Sequence, residues 1–200
     1  MRQSLSSWLP SRLSPLSSRS PSPAGRRMSA LRQAAIGLAA AAAVGSASAT
    51  TPLACRHAPL ANFNGNIVEA AVATPELSTL VQLVQAAGLV GALSGPGPLT
   101  VYAPTNAAFG KVPPALLNLI GGDTALLTSV LTYHVSPGQR DPRRSAFFPA
   151  EVPTLQGQSL FLEFESGKPQ VNQSTAQCTG VKTTNGVVWI IDSVLLPQFK

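Results

Sequence analysis

The chain has 200 residues, of which 44% are hydrophobic and 11% charged, and a formal charge of +6. Ordinary soluble domains carry about 25% charged residues, so charge-driven disorder is excluded, and the length suits one domain or two small ones. The sequence pI near 10.0 is misleading as a sign of nucleic-acid binding. Residues 1–49 hold six arginines and no acid, whereas residues 50–200 hold eight basic and eight acidic residues, so no basic groove is implied for the neutral body.

Residues 34–44 read AAIGLAAAAAV, an uncharged run of 11 small or apolar residues with Arg32 just before it. A membrane-spanning helix needs about 20 such residues, but the core of a secretory signal peptide does not. Ala47-Ser48-Ala49 supplies an A-x-A cleavage site. Residues 1–49 are therefore expected to be a leader, with Met28 as a possible true start. Arg26-Arg27 matches a twin-arginine signal only weakly, because Met28-Ser29-Ala30 follows. The Ser- and Arg-rich, acid-free composition keeps an organelle transit peptide as a competing reading. No transmembrane segment is expected beyond the leader.

The two cysteines, Cys55 and Cys178, both follow the leader. In an oxidising compartment such a pair reads as a disulfide. Two free thiols, or lipidation at Cys55, are the competing readings. Against lipidation, Leu53 is one place out of register for a lipobox.

Residues 50–61 read as a flexible lead-in. From Asn66 the pattern turns helical, with Ile67, Ala70 and Ala71 on one face. Thr74-Pro75-Glu76 reads as a helix start with a capping hydroxyl, followed by the apolar stripe Leu77, Leu80, Val81 and Val84. Leu99 to Ala103 reads as a strand, ended by Pro104. Thr105 or Asn106 is placed to cap a short helix carrying Phe109. Pro113-Pro114 starts the next helix. Asp123 caps another, with Leu126, Leu127, Val130 and Leu131 on its apolar face. Strands follow over 152–155, 159–164 and 168–173. Asn185-Gly186, between two β-branched runs, predicts a type I′ hairpin turn. Trp189 alternates with Val187 and Ile191, while Val188 and Ile190 also need cover, which suits a central strand. Helices come first and strands after, with one strand placed early, so the class is α+β in one domain over 62–198, without internal repeats.

Catalytic patterns are absent. His57 and His134 lack metal-ligand spacing with acids or cysteines. Gly95-Pro96-Gly97 lacks the third glycine of a dinucleotide loop. Glu163 and Glu165 read as solvated residues of one strand face. Asn172-Gln173-Ser174 is a glycosylation sequon, useful only in a eukaryotic host. No enzyme and no metal site are expected.

Four segments together resemble the fasciclin domain: Asn66 to Leu80, Thr100-Val101-Tyr102-Ala103-Pro104-Thr105-Asn106-Ala107-Ala108-Phe109, Leu131-Thr132-Tyr133-His134-Val135, and Thr184-Asn185-Gly186 through Pro197. The resemblance spans about residues 62–198. Tyr102 stands where the family usually has Phe, residues 142–149 fit no signature, and no Asp-Ile motif supports carrying over integrin binding.

The resemblance implies a wedge of β-sheet flanked by helices, with helices mostly in the N-terminal half and strands in the C-terminal half. It implies a secreted, periplasmic or cell-surface protein acting in adhesion or matrix contact, with an extracellular protein or polysaccharide as partner and no nucleic acid. Some small secreted bacterial members have a disulfide from the terminus to a late loop, which Cys55–Cys178 resembles. A few members bind a carotenoid in an apolar cleft, so carriage of a carotenoid or lipid is the alternative function. The candidate binding residues are Tyr133, His134, Thr105, Asn106, Phe147 and Phe148. His134 is expected to bond buried backbone or the Thr105-Asn106 turn, and to weaken the fold in acid. Tyr133 is expected half-buried, with its hydroxyl at the surface. Phe147-Phe148 beside Arg143-Arg144 reads as either a sticky loop or a core anchor. The sequence does not set the oligomeric state.

Overall fold

The computed structural model describes residues 52–145 and 149–199. The leader and Phe147-Phe148 lie outside the described residues. In chain order the elements are α1 (Pro52–His57), β1 (Ala61–Asn62), α2 (Ile67–Val72), α3 (Ser78–Ala86), α4 (Val90–Ser94), β2 (Leu99–Pro104), α5 (Asn106–Gly110), α6 (Pro114–Gly122), α7 (Thr124–Tyr133) and β3 (Val135–Pro137). They continue with β4 (Ala150–Pro153), β5 (Ser159–Glu165), β6 (Lys168–Val171), β7 (Ser174–Thr175), β8 (Val181–Lys182) and β9 (Gly186–Ile191). Helices thus dominate the first half and strands the second, as the α+β reading expects. No single helix among the described residues is long and apolar enough to cross a membrane.

The strands form two sheets. One has five strands in the order β1, β8, β9, β2, β3, and the other four in the order β4, β5, β6, β7. The two most distant signature segments meet here: β2 and β9 run parallel, with Leu99 beside Gly186 and Pro104 beside Ile191. Side chains alternate across this pair. Val101, Ala103, Val135 and Val188 join the helical side chains Ile67, Leu80, Phe109, Leu127 and Val130 in one core. Tyr102, Val187, Trp189 and Ile191 face the other way, onto Val152, Leu160, Leu162 and Val171 of the second sheet. The central-strand expectation for residues 187–191 therefore holds. Trp189 is 1% exposed, and burying a side chain of that size contributes about 2–3 kcal/mol.

Three sequence expectations are corrected. The lead-in over 50–61 is not a loose tail in its described part. It holds α1, and β1 pairs in parallel with β8. Side-chain ties from far along the chain fix it: the Cys55–Cys178 disulfide, with Cα atoms 4.9 Å apart, Arg56 over the Phe164 ring, and the Arg143 guanidinium donating to the Ala58 carbonyl.

The second correction concerns the hairpin turn. The β8–β9 pairing joins Lys182 to Val187, so the connection has four residues, and neither Asn185 nor Gly186 has positive φ. The two-residue turn with both central φ values positive lies at Ser166 (51°) and Gly167 (81°), between β5 and β6. That is the backbone requirement of a type I′ turn.

The third concerns Thr74. Its hydroxyl donates to the Ala70 carbonyl instead of capping, and a 3-10 turn, Pro75–Leu77, precedes α3.

Candidate functional site

The Tyr-His pair ends α7 and its two side chains diverge. Residue 134 terminates the helix, so consecutive residues leave it on opposite sides of the five-stranded sheet. Tyr133 is 5% exposed, more buried than expected. Its hydroxyl donates to the Ser159 carbonyl at 3.2 Å and accepts from Asn172 Nδ2 at 3.1 Å. Asn172 Oδ1 in turn accepts the Phe161 backbone N–H. Tyr133 thereby pins one end of the second sheet, and the Asn172 amide of the sequon is already engaged.

His134 packs on the helical side at 2% exposure. Nδ1 lies 2.8 Å from the Val130 carbonyl, and Nε2 accepts the Leu195 N–H at 3.0 Å. These partners require the neutral tautomer with its proton on Nδ1. Burial lowers the His134 pKa to about 4, opposed in part by the Val130 carbonyl. The ring thus links α7 to the C-terminal signature through backbone. It does not bond the Thr105-Asn106 turn.

Thr105 and Asn106 serve helix ends. Thr105 Oγ1 accepts from the Ala108 N–H, capping α5. Asn106 Oδ1 accepts the Thr79 N–H, and its Nδ2 donates to the Pro75 carbonyl and Ser78 Oγ. Asn106 therefore satisfies an orphan amide at the start of α3 from 27 residues away, the duty that sequence reading assigned to Thr74.

Two concave regions adjoin these residues. The first is an apolar crevice of about 60 Å³ on the helical side, with Ile67, Leu80, Val84, Leu93, Val101 and His134 in its wall. An engineered apolar cavity of about 150 Å³ takes benzene. The residues are of the right kind for a polyene, but the crevice is far too small for one, so a carotenoid does not fit this arrangement. The second is a broad, open concavity of about 1220 Å³ over the outer face of the second sheet. Its wall includes Tyr133, Glu151, Phe161, Glu163, Glu165 and Gln170. Phe161 in this wall stands 47% exposed, and no ion pair engages the three glutamates among the described residues. Sequence reading singled out two of these glutamates but not the face, because strand register decides which side chains share it: Glu151 stands opposite Phe161, and Glu163 opposite Gln170.

Among the described residues no group of three or more His, Cys, Asp or Glu could hold a metal ion.

The sequence model of the Fasciclin domain matches residues 75–197. The chain belongs to the fasciclin family. Protein sll1483 of Synechocystis sp. is 41% identical over 133 residues, covering 66% of this chain and 73% of that protein. Immunogenic protein MPB70 of Mycobacterium bovis is 40% identical over 136 residues, covering 66% of this chain and 68% of that protein. Cell surface glycolipoprotein MPB83 of Mycobacterium bovis is also 40% identical, and the match spans 60% of its length. Among solved structures, the FAS1 domain pair of the insect cell adhesion molecule fasciclin I aligns with a TM-score of 0.52 at 15% identity, over 66% of this chain and 51% of that one. That likeness concerns the fold. In this fasciclin domain two of the segments that resemble the family form the parallel strand pair β2 and β9, and Tyr133 and His134 buttress it from either side.

Proposed function

We propose that this fasciclin domain is an extracellular, non-enzymatic binding module that contacts a surface or matrix partner through the outer face of its second sheet. The observation that carries this reading is the wide concavity that includes exposed Phe161, with Glu151, Glu163 and Glu165 in its wall and outside any ion pair among the described residues. An exposed aromatic among carboxylates that make no ion pair is the composition of an interface anchor with a polar rim. The name of the relative MPB83 as a cell surface glycolipoprotein is in keeping with action outside the cell. Labelled protein applied to intact host cells and extracted matrix tests the reading. Saturable binding that Phe161→Ala and the triple change of Glu151, Glu163 and Glu165 to Gln each weaken at least tenfold is the expected result. Absence of binding, or binding indifferent to both variants, overturns it.

The carrier reading draws on the apolar wall of the crevice, which would have to widen to admit a lipid or carotenoid. Native mass spectrometry and an absorption spectrum of protein from its own host, never exposed to organic solvent, decide it. A bound polyene or lipid establishes the carrier, and a ligand-free mass rejects it.

A further inference from the structure

A third concavity, separate from the Phe161 face, borders the second core at Val187 and Trp189. It measures about 210 Å³ and is lined by Leu60, Gln139, Arg140, Asp141, Arg144, Val187 and Trp189. Its charges are unequally committed. Arg143, 6% exposed, holds both Asp141 carboxylate oxygens, at 2.9 Å and 2.8 Å. The same guanidinium stacks over Trp189, 4.8 Å from the ring centre, and donates to the Ala58 and Cys178 carbonyls. Asp141 is therefore neutralised within the fold.

The two remaining cations are not so engaged. Arg140 donates to the Pro137 carbonyl through Nε alone, which leaves its terminal nitrogens without an acceptor among the described residues. Arg144 is 88% exposed in its side chain and lies 3.6 Å from the already shared Asp141. The pocket thus presents two guanidinium groups, a charge of +2, on a body that is neutral as a whole.

Two further features restrict the ligand. The apolar side of the pocket is a single small patch, Leu60 with Val187 and Trp189, and the volume lies below the roughly 300 Å³ at which drug-sized sites begin. That admits one ring. Gln139 offers both a donor and an acceptor at the rim, as recognition of a hydroxyl requires. Planar guanidinium forks match a carboxylate in bidentate geometry. Beside Trp189 in the sheet, the buried Tyr102 and Ser136 hydroxyls are adjacent, yet neither makes a hydrogen bond of standard geometry.

We infer that this pocket binds a carboxylate-bearing sugar unit of an acidic polysaccharide, with Arg140 and Arg144 clamping the carboxylate, Gln139 reading a hydroxyl, and Leu60 and Val187 against the ring. The inference rests on the reading of the chain as an extracellular binding module and names one class of partner at a site separate from the Phe161 face.

Calorimetric titration of the whole chain with tetragalacturonate tests it. Binding that weakens with added salt, and at least tenfold in the Arg140→Gln, Arg144→Gln double variant, is expected. The triple glutamate variant of the outer sheet face should bind the sugar as the wild type does. A near-UV spectrum of the double variant matching the wild type shows that the Trp189 environment is intact. No binding, or binding unchanged in the double variant, overturns the inference. So does inorganic sulfate or a poly-glutamate peptide binding as tightly as the oligosaccharide, since either would make the site a general anion or peptide pocket. If cells and matrix bind while tetragalacturonate does not, only this inference fails. If neither binds, the module reading fails as well.

Discussion

Asn185 Oδ1 accepts the backbone N–H of Ile67 at 2.9 Å, across 118 residues of sequence. The same amide donates to the carbonyls of Leu93 and Gly95, at 2.8 Å and 2.9 Å. One side chain thus ties the start of α2 and the end of α4 to the connection before β9. Asn185→Ala should lower stability by about 2–4 kcal/mol, because three backbone groups lose their partner at once. Urea denaturation reads this as a lower midpoint with an unchanged slope.

Gly186 is needed for a different reason. A Cβ there would stand 2.0 Å from the Leu99 carbonyl oxygen and 2.9 Å from Ile67 Cδ1. Gly186→Ala should force β9 away from β2 and cost more than about 3 kcal/mol. Thermal unfolding of the purified variant measures it, and a wild-type midpoint would refute the close-approach argument.

His134 makes the fold sensitive to acid. Its folded pKa is about 4 against about 6.5 unfolded. Between those values the unfolded chain binds more protons, so stability rises with pH in that window. The contribution is complete above pH 6.5, declines as pH falls, and is lost by about pH 4. The difference is about 3 kcal/mol. Protonation of Nε2 also removes the acceptor for the Leu195 N–H. His134→Gln should flatten the profile between pH 4 and 7 while lowering stability at neutral pH. A wild-type profile already flat over that range would contradict the assignment.

The Cys55–Cys178 bridge closes a separation of 123 residues. Loop-closure entropy assigns a bridge of this span about 4–5 kcal/mol. The Cys55→Ser, Cys178→Ser double variant should lose most of that in equilibrium denaturation. The intact protein should weigh two hydrogen masses less than its reduced form.

Arg143 joins Asp141, Trp189 and the carbonyls of Ala58 and Cys178 from a nearly buried position. Removing it leaves the Asp141 carboxylate, 20% exposed, without its main partner. Arg143→Ala should cost about 3–5 kcal/mol. Arg143→Lys should recover little, since an ammonium cannot span both carboxylate oxygens and stack on the indole together. Chemical denaturation of the two variants side by side gives the comparison.

Much of this fold is legible locally. The α7 stripe, the Asp123 cap, the β2 run and the alternation around Trp189 are written within a few residues of where they act, because periodicity and capping are short-range effects. The candidate site is less so. Phe161, Glu151 and Glu163 share a face only through strand register, and Arg140 and Arg144 meet Leu60 and Val187 only once the β3–β4 connection, the start of the domain and β9 have come together.

Asn185-Gly186 marks the boundary between the two kinds of information. Read alone, the dipeptide asks for a tight turn. In the folded chain Asn185 is occupied by Ile67, Leu93 and Gly95, and Gly186 by the nearness of Leu99, and the tight turn with two positive φ values is found in another hairpin, at Ser166-Gly167. By itself the sequence determined the α+β class and most of the helix and strand positions after Asn66, which follow from side-chain period and cap chemistry, and its motifs indicated the family. Tertiary structure decided what the turn residues, Asn106 and Arg143 do, because the partners of Asn185 and Asn106, and the Ala58, Cys178 and Trp189 partners of Arg143, lie tens of residues away and become neighbours only after the chain has closed.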